Sequence, residues 1–134
     1  MIVVDTNVIA YLLLGGEKTP QARAALREDP VWAAPILWCS EFRNVLAVYL
    51  RHGQLVLSDA LELVATAESL VSGSEYQVES GRVLSLVAAS SCSAYDCEFV
   101  ALAQDLGVSL VTSDRQVLEA FPSVAVALDS FSSK

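Results

Sequence analysis

The chain predicts an α/β fold, a parallel sheet covered by helices on both faces, and three observations carry that reading. Short branched runs alternate with stretches of helical periodicity. The clearest helical pattern, after Ser93, places Tyr95, Phe99, Leu102, Ala103 and Leu106 at helical spacing, puts Gly107 where a C-terminal cap belongs, and runs almost at once into the strand-like SLVT. No repeat, linker or low-complexity tract interrupts the 134 residues, so residues 1–134 read as a single domain, long enough to bury one substantial core.

In order, IVV at 2–4 is a strand candidate, and a helix over 6–13 follows it across Asp5. A helix over 20–28 precedes the strand VWAA at 31–34. The long helix over 36–52 carries Phe42, Val45, Leu46, Tyr49 and Leu50 toward a core, with Ser40, Arg43, Asn44 and Arg51 as its polar stripe. Helices over 58–71, 79–90 and 94–106 lead to the strand SLVT at 109–112, a helix over 115–120 and the strand VAVAL at 124–128. Ser72–Ser74 reads as a loop and Ser130–Ser133 as a loose terminus.

Composition narrows the class. Hydrophobic residues make up 54% and mean hydropathy is +0.48, so part of the surface is expected to be hidden by a partner. The longest charge-free stretch, Val83 to Tyr95, is too short and too serine-rich to span a membrane. The amino terminus lacks a basic region, which argues against a secretory signal and for a cytoplasmic protein. Three cysteines, Cys39, Cys92 and Cys97, without CxxC spacing or a histidine cluster, suggest neither a disulfide framework nor a zinc site. The net charge of −8 gives no general attraction to nucleic acid, so an enzyme acting on one needs locally placed cations.

The acids are the informative residues. Strand ends and the helix starts that follow them gather along one rim of a parallel sheet, where ligands bind. Asp5 and Asp114 occupy that junction, after IVV and SLVT. Taken singly, helix N-capping accounts for each of them better than chemistry does. Asp96 has an equally good structural account, because Ser93-Ala94-Tyr95-Asp96 has the spacing of a capping box. Glu41 shares its helical azimuth with Trp38, Val45 and Val48 and so sits at the border of a buried face. Such a carboxylate needs a partner; an arginine such as Arg43 or Arg82 and a metal ion both remain open. Several carboxylates on one rim repel one another unless a cation holds them, and oxygen-only ligands of high charge select Mg²⁺ or Mn²⁺.

The ordered segments VVDTNVIAYL, Glu41 on the long helix, SAYDCEFVALAQDLG and LVTSD resemble the PIN-domain ribonucleases, and within them the VapC-type toxins of bacterial toxin–antitoxin pairs. The resemblance covers nearly the whole chain. It implies a PIN-like, Rossmann-like three-layer sandwich around a mainly parallel sheet of about five strands. It implies that Asp5, Glu41, Asp96 and Asp114 are the catalytic acids of an Mg²⁺-dependent (or Mn²⁺-dependent) endoribonuclease. Asp5, Asp96 and Asp114 then serve as metal ligands, and Glu41 as a second ligand or as the acceptor of a water proton. Thr6, Asn7, Thr112 and Ser113 become supporting polar residues. Arg43 and Arg115 become candidate phosphate contacts, each as readily a solvated surface arginine. The implied partners are an RNA substrate, a cognate antitoxin and a second copy in a homodimer.

Setting the four acids aside leaves twelve acidic against eight basic residues, an ordinary surface excess, which shrinks the objection from charge. His52, at a helix end before Gly53, is explained by the helix dipole rather than by catalysis. Two rival readings stay open: a non-catalytic PIN-like module that binds RNA or protein, and another Mg²⁺-binding phosphotransfer domain. The second is disfavoured because Asn7 stands where a dehalogenase-like phosphatase needs its second aspartate, and because the chain lacks the adjacent acids and the strand-ending lysine of a receiver domain.

Overall fold

The computed structural model describes residues 1–132. Five strands, β1 (Ile2–Val4), β2 (Trp32–Pro35), β3 (Glu75–Tyr76), β4 (Leu110–Thr112) and β5 (Ala125–Ala127), form one sheet in the order β3-β2-β1-β4-β5. Every neighbouring pair is parallel, with Val3 opposite Ala33 on one side and Leu110 on the other. The middle strands are buried on both faces, which is why they read as unbroken apolar runs rather than as alternating ones.

The helices are α1 (Thr6–Leu14), α2 (Thr19–Glu28), α3 (Leu37–Arg51), α4 (Leu57–Leu70), α5 (Ser80–Ala88), α6 (Ala94–Leu106), α7 (Arg115–Ala120) and α8 (Leu128–Ser132). α6 packs along β1, β2 and β4 with α5 beside it, while α1, α2 and α8 pack on one another and reach β4 and β5. α6 is the helix that periodicity marked most clearly, and Gly107 caps it in the left-handed conformation at φ 67°. Trp32, Trp38, Phe42, Ile9, Leu110 and Val100 are among the fully buried side chains. The two indoles find acceptors, Trp32 Nε1 on Asp29 O at 2.9 Å and Trp38 Nε1 on the Glu75 carboxylate.

The seven expected helices and four expected strands are present, most bounds shifting by one or two residues at an end. β3 comes in addition: with two residues, one of them Glu75, it has no run long enough to stand out. The carboxyl end differs in kind. Leu128 opens a helix instead of closing a strand, and Ser130 to Ser132 belong to α8, held because Leu128 and Phe131 are buried. Ser133 lies outside the described residues. Ser72 to Ser74 form a turn, as expected. No helix among the described residues is long and apolar enough to cross a membrane.

Candidate active site

The strand order reverses between β1 and β4: from β1 the chain builds outward through β2 and β3, then returns to add β4 and β5 on the other side. The carboxyl ends of β1 and β4 therefore flank the crevice where ligands bind in sheets of this kind. Asp5 leaves β1 in extended conformation and caps α1, its Oδ1 accepting from Val8 N–H at 3.0 Å. Its other oxygen accepts from the hydroxyl of Thr112 at the end of β4. Asp114 caps α7, with Oδ1 accepting from Gln116 N–H at 2.9 Å and Val117 N–H at 3.3 Å. Its own N–H donates to Thr112 Oγ1 at 3.0 Å. Both aspartates are N-caps, as their flanking residues require, and capping is also what fixes them on the rim.

Glu41 projects from α3, and Oε1 accepts from the Thr6 hydroxyl at 2.7 Å. The arginine alternative is not realised with Arg82, which pairs with Asp105 at 2.9 Å. Asp96 sits in the first turn of α6, where its N–H donates to Ser93 Oγ at 3.1 Å, one arm of the expected capping box. The buried polar side chains among the described residues are Thr6, Thr19 and Thr112. Two of these three hydroxyls are spent on carboxylates of the rim.

Electrostatics ties the acids together. Burial pushes the Asp5 carboxyl up from 3.8 to about 6. Bonds from Thr112 and Val8 oppose that rise, and Asp114 and Glu41 add to it. Burial raises Glu41, with its Thr6 bond opposing and Asp96 adding. Asp96 is raised by burial and then by Asp114, while Ser93 holds it down. Glu98, one residue beyond Cys97, is raised by burial and then by Glu41, an acid near the cluster that sequence reasoning passed over. Carboxylates that share a site repel one another in this way, and a cation held between them would relieve it.

Asp5, Glu41, Asp96 and Asp114 all line one cavity of about 530 Å³, together with Thr6, Asn7 and Thr112. Ser113 stands just outside, its Oγ 3.1 Å from the Tyr11 hydroxyl. Arg43 and Arg115 are exposed and do not line it, and no lysine, arginine or histidine does. His52 instead ends α3, with Nδ1 2.8 Å from Val48 O. Ser40, Asn44, Tyr95 and Phe99 also line the cavity, beside the apolar Leu37, Val45, Leu110 and Val117, and were not foreseen as site residues. Their signal was proximity: Ser40 and Asn44 flank Glu41 on α3, and Tyr95 precedes Asp96.

The donor set is oxygen-only. Cys92 and Cys97 are free, buried and outside the lining, with thiols that burial pushes up. Uncompensated carboxylates, no nitrogen or sulfur ligand and no competing cation fit a hard divalent ion. Among the described residues no three such side chains close on one point as a full protein cage would.

A PIN domain family model matches residues 2–124. The chain is 29% identical to Ribonuclease VapC3 of Pyrobaculum aerophilum over 126 residues, covering 92% of this chain and 96% of that protein. In fold it is similar to the crystal structure of PAE2754 from Pyrobaculum aerophilum, at a TM-score of 0.78 and 19% identity over 98% of this chain and 93% of that one. It is likewise similar to a toxin–antitoxin complex from Klebsiella pneumoniae, at a TM-score of 0.67 and 18% identity over 96% and 98% of the two chains.

Proposed function

The chain belongs to the PIN domain family, and from that premise we propose that it is a metal-dependent endoribonuclease, the toxin of a type II toxin–antitoxin pair. The observation that carries this reading is the convergence of four acids, from β1, α3, α6 and β4–α7, on one cavity that no lysine, arginine or histidine lines, at the switch point of the sheet. Ribonuclease VapC3 matches along almost its whole length, which supports the same activity here.

The acids suit phosphodiester hydrolysis. Asp5 and Asp96 are the principal candidates to hold Mg²⁺ or Mn²⁺, and Asp114 joins directly or through water. When bound, the ion supplies acidification of water and charge relief for the phosphate. The chain's own residues do the rest. Thr112 donates to Asp5 and accepts from Asp114 N–H, which fixes one carboxylate and the backbone of the other. Thr6 orients Glu41, whose raised affinity for protons suits it to accept one from an attacking water. In-line attack by water leaves a 5′-phosphate and a 3′-hydroxyl, so the 2′-hydroxyl takes no chemical part.

Partners follow the same reading. Val48, Val56, Leu57 and Leu61 are exposed on α3 and α4 and the turn between them, an apolar surface of the kind a partner covers. We assign it to a cognate antitoxin or to a second copy in a homodimer, in a cytoplasmic setting. We keep Arg43 and Arg115, exposed and outside the cavity lining, as the assigned contacts for flanking phosphates. To test the function, purified antitoxin-free protein is incubated with mixed RNAs, with and without Mg²⁺, beside Asp5→Asn and Asp96→Asn. Cleavage that needs the metal and both aspartates is expected. Equal cleavage by wild type and variants would expose a contaminant, and none under any divalent metal would favour a binding-only module.

A further inference from the structure

Between its acids and threonines the cavity is also lined by apolar side chains, Leu37, Val45 and Phe99 among them, and by the neutral Asn44 and Ser40. Tyr95 belongs to the lining, one residue from Asp96, and remains 63% exposed. Phe99 lies one helical turn below it and is only 4% exposed. No ring or cation contact involves Tyr95 among the described residues. A large ring left open beside a catalytic carboxylate, with neither an aromatic or cationic partner nor a side-chain hydrogen bond among the described residues, has surface to offer a ligand.

The ligand's chemistry follows from what the cavity lacks. No cationic side chain lines it, so apart from a metal nothing there attracts a polyanion by charge. Affinity must come from neutral contacts, and nucleic acid offers a neutral π-face only through its bases. A base within a duplex is stacked on its neighbours and closed to a side chain, whereas a single-stranded one can splay out onto an aromatic ring. We propose that Tyr95 is the stacking platform for an unpaired base of single-stranded RNA, the base next to the scissile phosphate, with Asn44 and Ser40 facing its edge. This deepens the nuclease reading and rests on it. Tyr95 and Asp96 are adjacent in the chain, so a phosphate at the acids and a base on the ring belong to the same or neighbouring nucleotides.

The test is a cycle of protein and substrate changes. Wild type, Tyr95→Ala and Tyr95→Phe are each given a short single-stranded RNA spanning the mapped cleavage site, and the same RNA made abasic at the nucleotide on either side of the cut. Binding is read by fluorescence anisotropy and cleavage as separate kcat and KM. Tyr95→Ala is expected to weaken binding and raise KM by roughly 5- to 100-fold on the intact strand, with a much smaller change in kcat. On one of the two abasic strands that loss should vanish, and Tyr95→Phe, which keeps the ring, should restore affinity. Equal losses on intact and abasic strands, or no loss on any, would overturn the assignment. If wild type binds but never cleaves, the nuclease reading falls, and the anisotropy cycle, run with an abasic position walked along a single-stranded RNA that binds, still reports on Tyr95; if it cleaves without coupling, only the stacking platform falls. Circular dichroism melting checks that the exposed substitution leaves the fold intact.

Discussion

Asp5 should titrate near neutrality in the metal-free protein, and Thr112→Val should push it further. Its carboxyl rises from 3.8 to about 6, mainly through burial. A shift of about two units is worth about 3 kcal/mol between the two protonation states. The sign is that of a group whose folded-state value exceeds its unfolded one. The extra stability is fully present below about pH 4 and is lost as pH rises through about 6, when the folded protein must hold the charge. Glu41 and Asp96 are raised in the same direction and add to the trend. Metal-free protein should therefore unfold more easily at pH 7 than at pH 5 as far as these groups are concerned. Added Mg²⁺ should reverse this, stabilising more at pH 7 than at pH 5, because protons and metal compete for the same oxygens.

Thr112→Val keeps the shape of the side chain and removes the hydroxyl that donates to Asp5. A hydrogen bond to a charged group contributes about 1.5–3 kcal/mol, equivalent to a further rise of about 1–2 pH units in the Asp5 midpoint. Carboxyl-carbon NMR titration of metal-free protein, assigned with Asp5→Asn, reads that midpoint directly. A wild-type midpoint near 4, or one that stays put in Thr112→Val, refutes the account of Asp5 as a desolvated, threonine-supported acid.

Asp5→Asn, by removing a buried charge that repels Asp114 and Glu41, should raise the melting temperature of metal-free protein at pH 7 while lowering RNA cleavage about 100-fold or more, measured on one preparation. Arg115→Ala should leave kcat nearly unchanged, since Arg115 does not line the cavity, and reduce the slope of log affinity for single-stranded RNA against log salt by about 0.7. Gly107→Ala places a Cβ at φ 67° in the cap of α6 and should cost about 1 kcal/mol in urea unfolding, although the space around it is open.

The fold was legible where local signals agreed with tertiary need. α6 has apolar residues at helical spacing, a serine cap and a glycine stop, and its bounds match expectation at both ends. β1 and β4, buried on both faces, announce themselves as apolar runs. β3 and α8 do not, because two and five residues hold too little pattern to identify; what keeps them in place is pairing with β2 and packing on α2. Asp5 and Asp114 were legible as caps at strand ends, and only the strand order, which sequence does not print, puts those ends side by side. The apolar lining was hidden for a different reason. Phe99 and Val45 satisfy core periodicity, and nothing in a linear pattern separates an apolar residue closed off in the core from one that also lines a cavity.

A negative charge of −8 and a polyanionic substrate look incompatible only if the protein must supply the attraction by itself. On the function proposed above, the cavity concentrates acid where a phosphate would react, so metal-free protein should repel RNA there. A divalent ion held by those acids would turn the same point into the place that holds a phosphate. Binding and catalysis are then switched by one event, and RNA affinity should depend on divalent metal even in a variant too slow to cleave. Monovalent salt cannot substitute, because it screens the acids without coordinating them. Neutral lining residues, Tyr95 and Asn44 among them, would supply the affinity that does not depend on the ion. Titrating RNA into Glu41→Gln, which loses the assigned proton acceptor but keeps Asp5, Asp96 and Asp114, with Mg²⁺ and again with sodium chloride at matched ionic strength, separates the two contributions. Equal affinity in both would mean that the acids do not hold the phosphate through a metal.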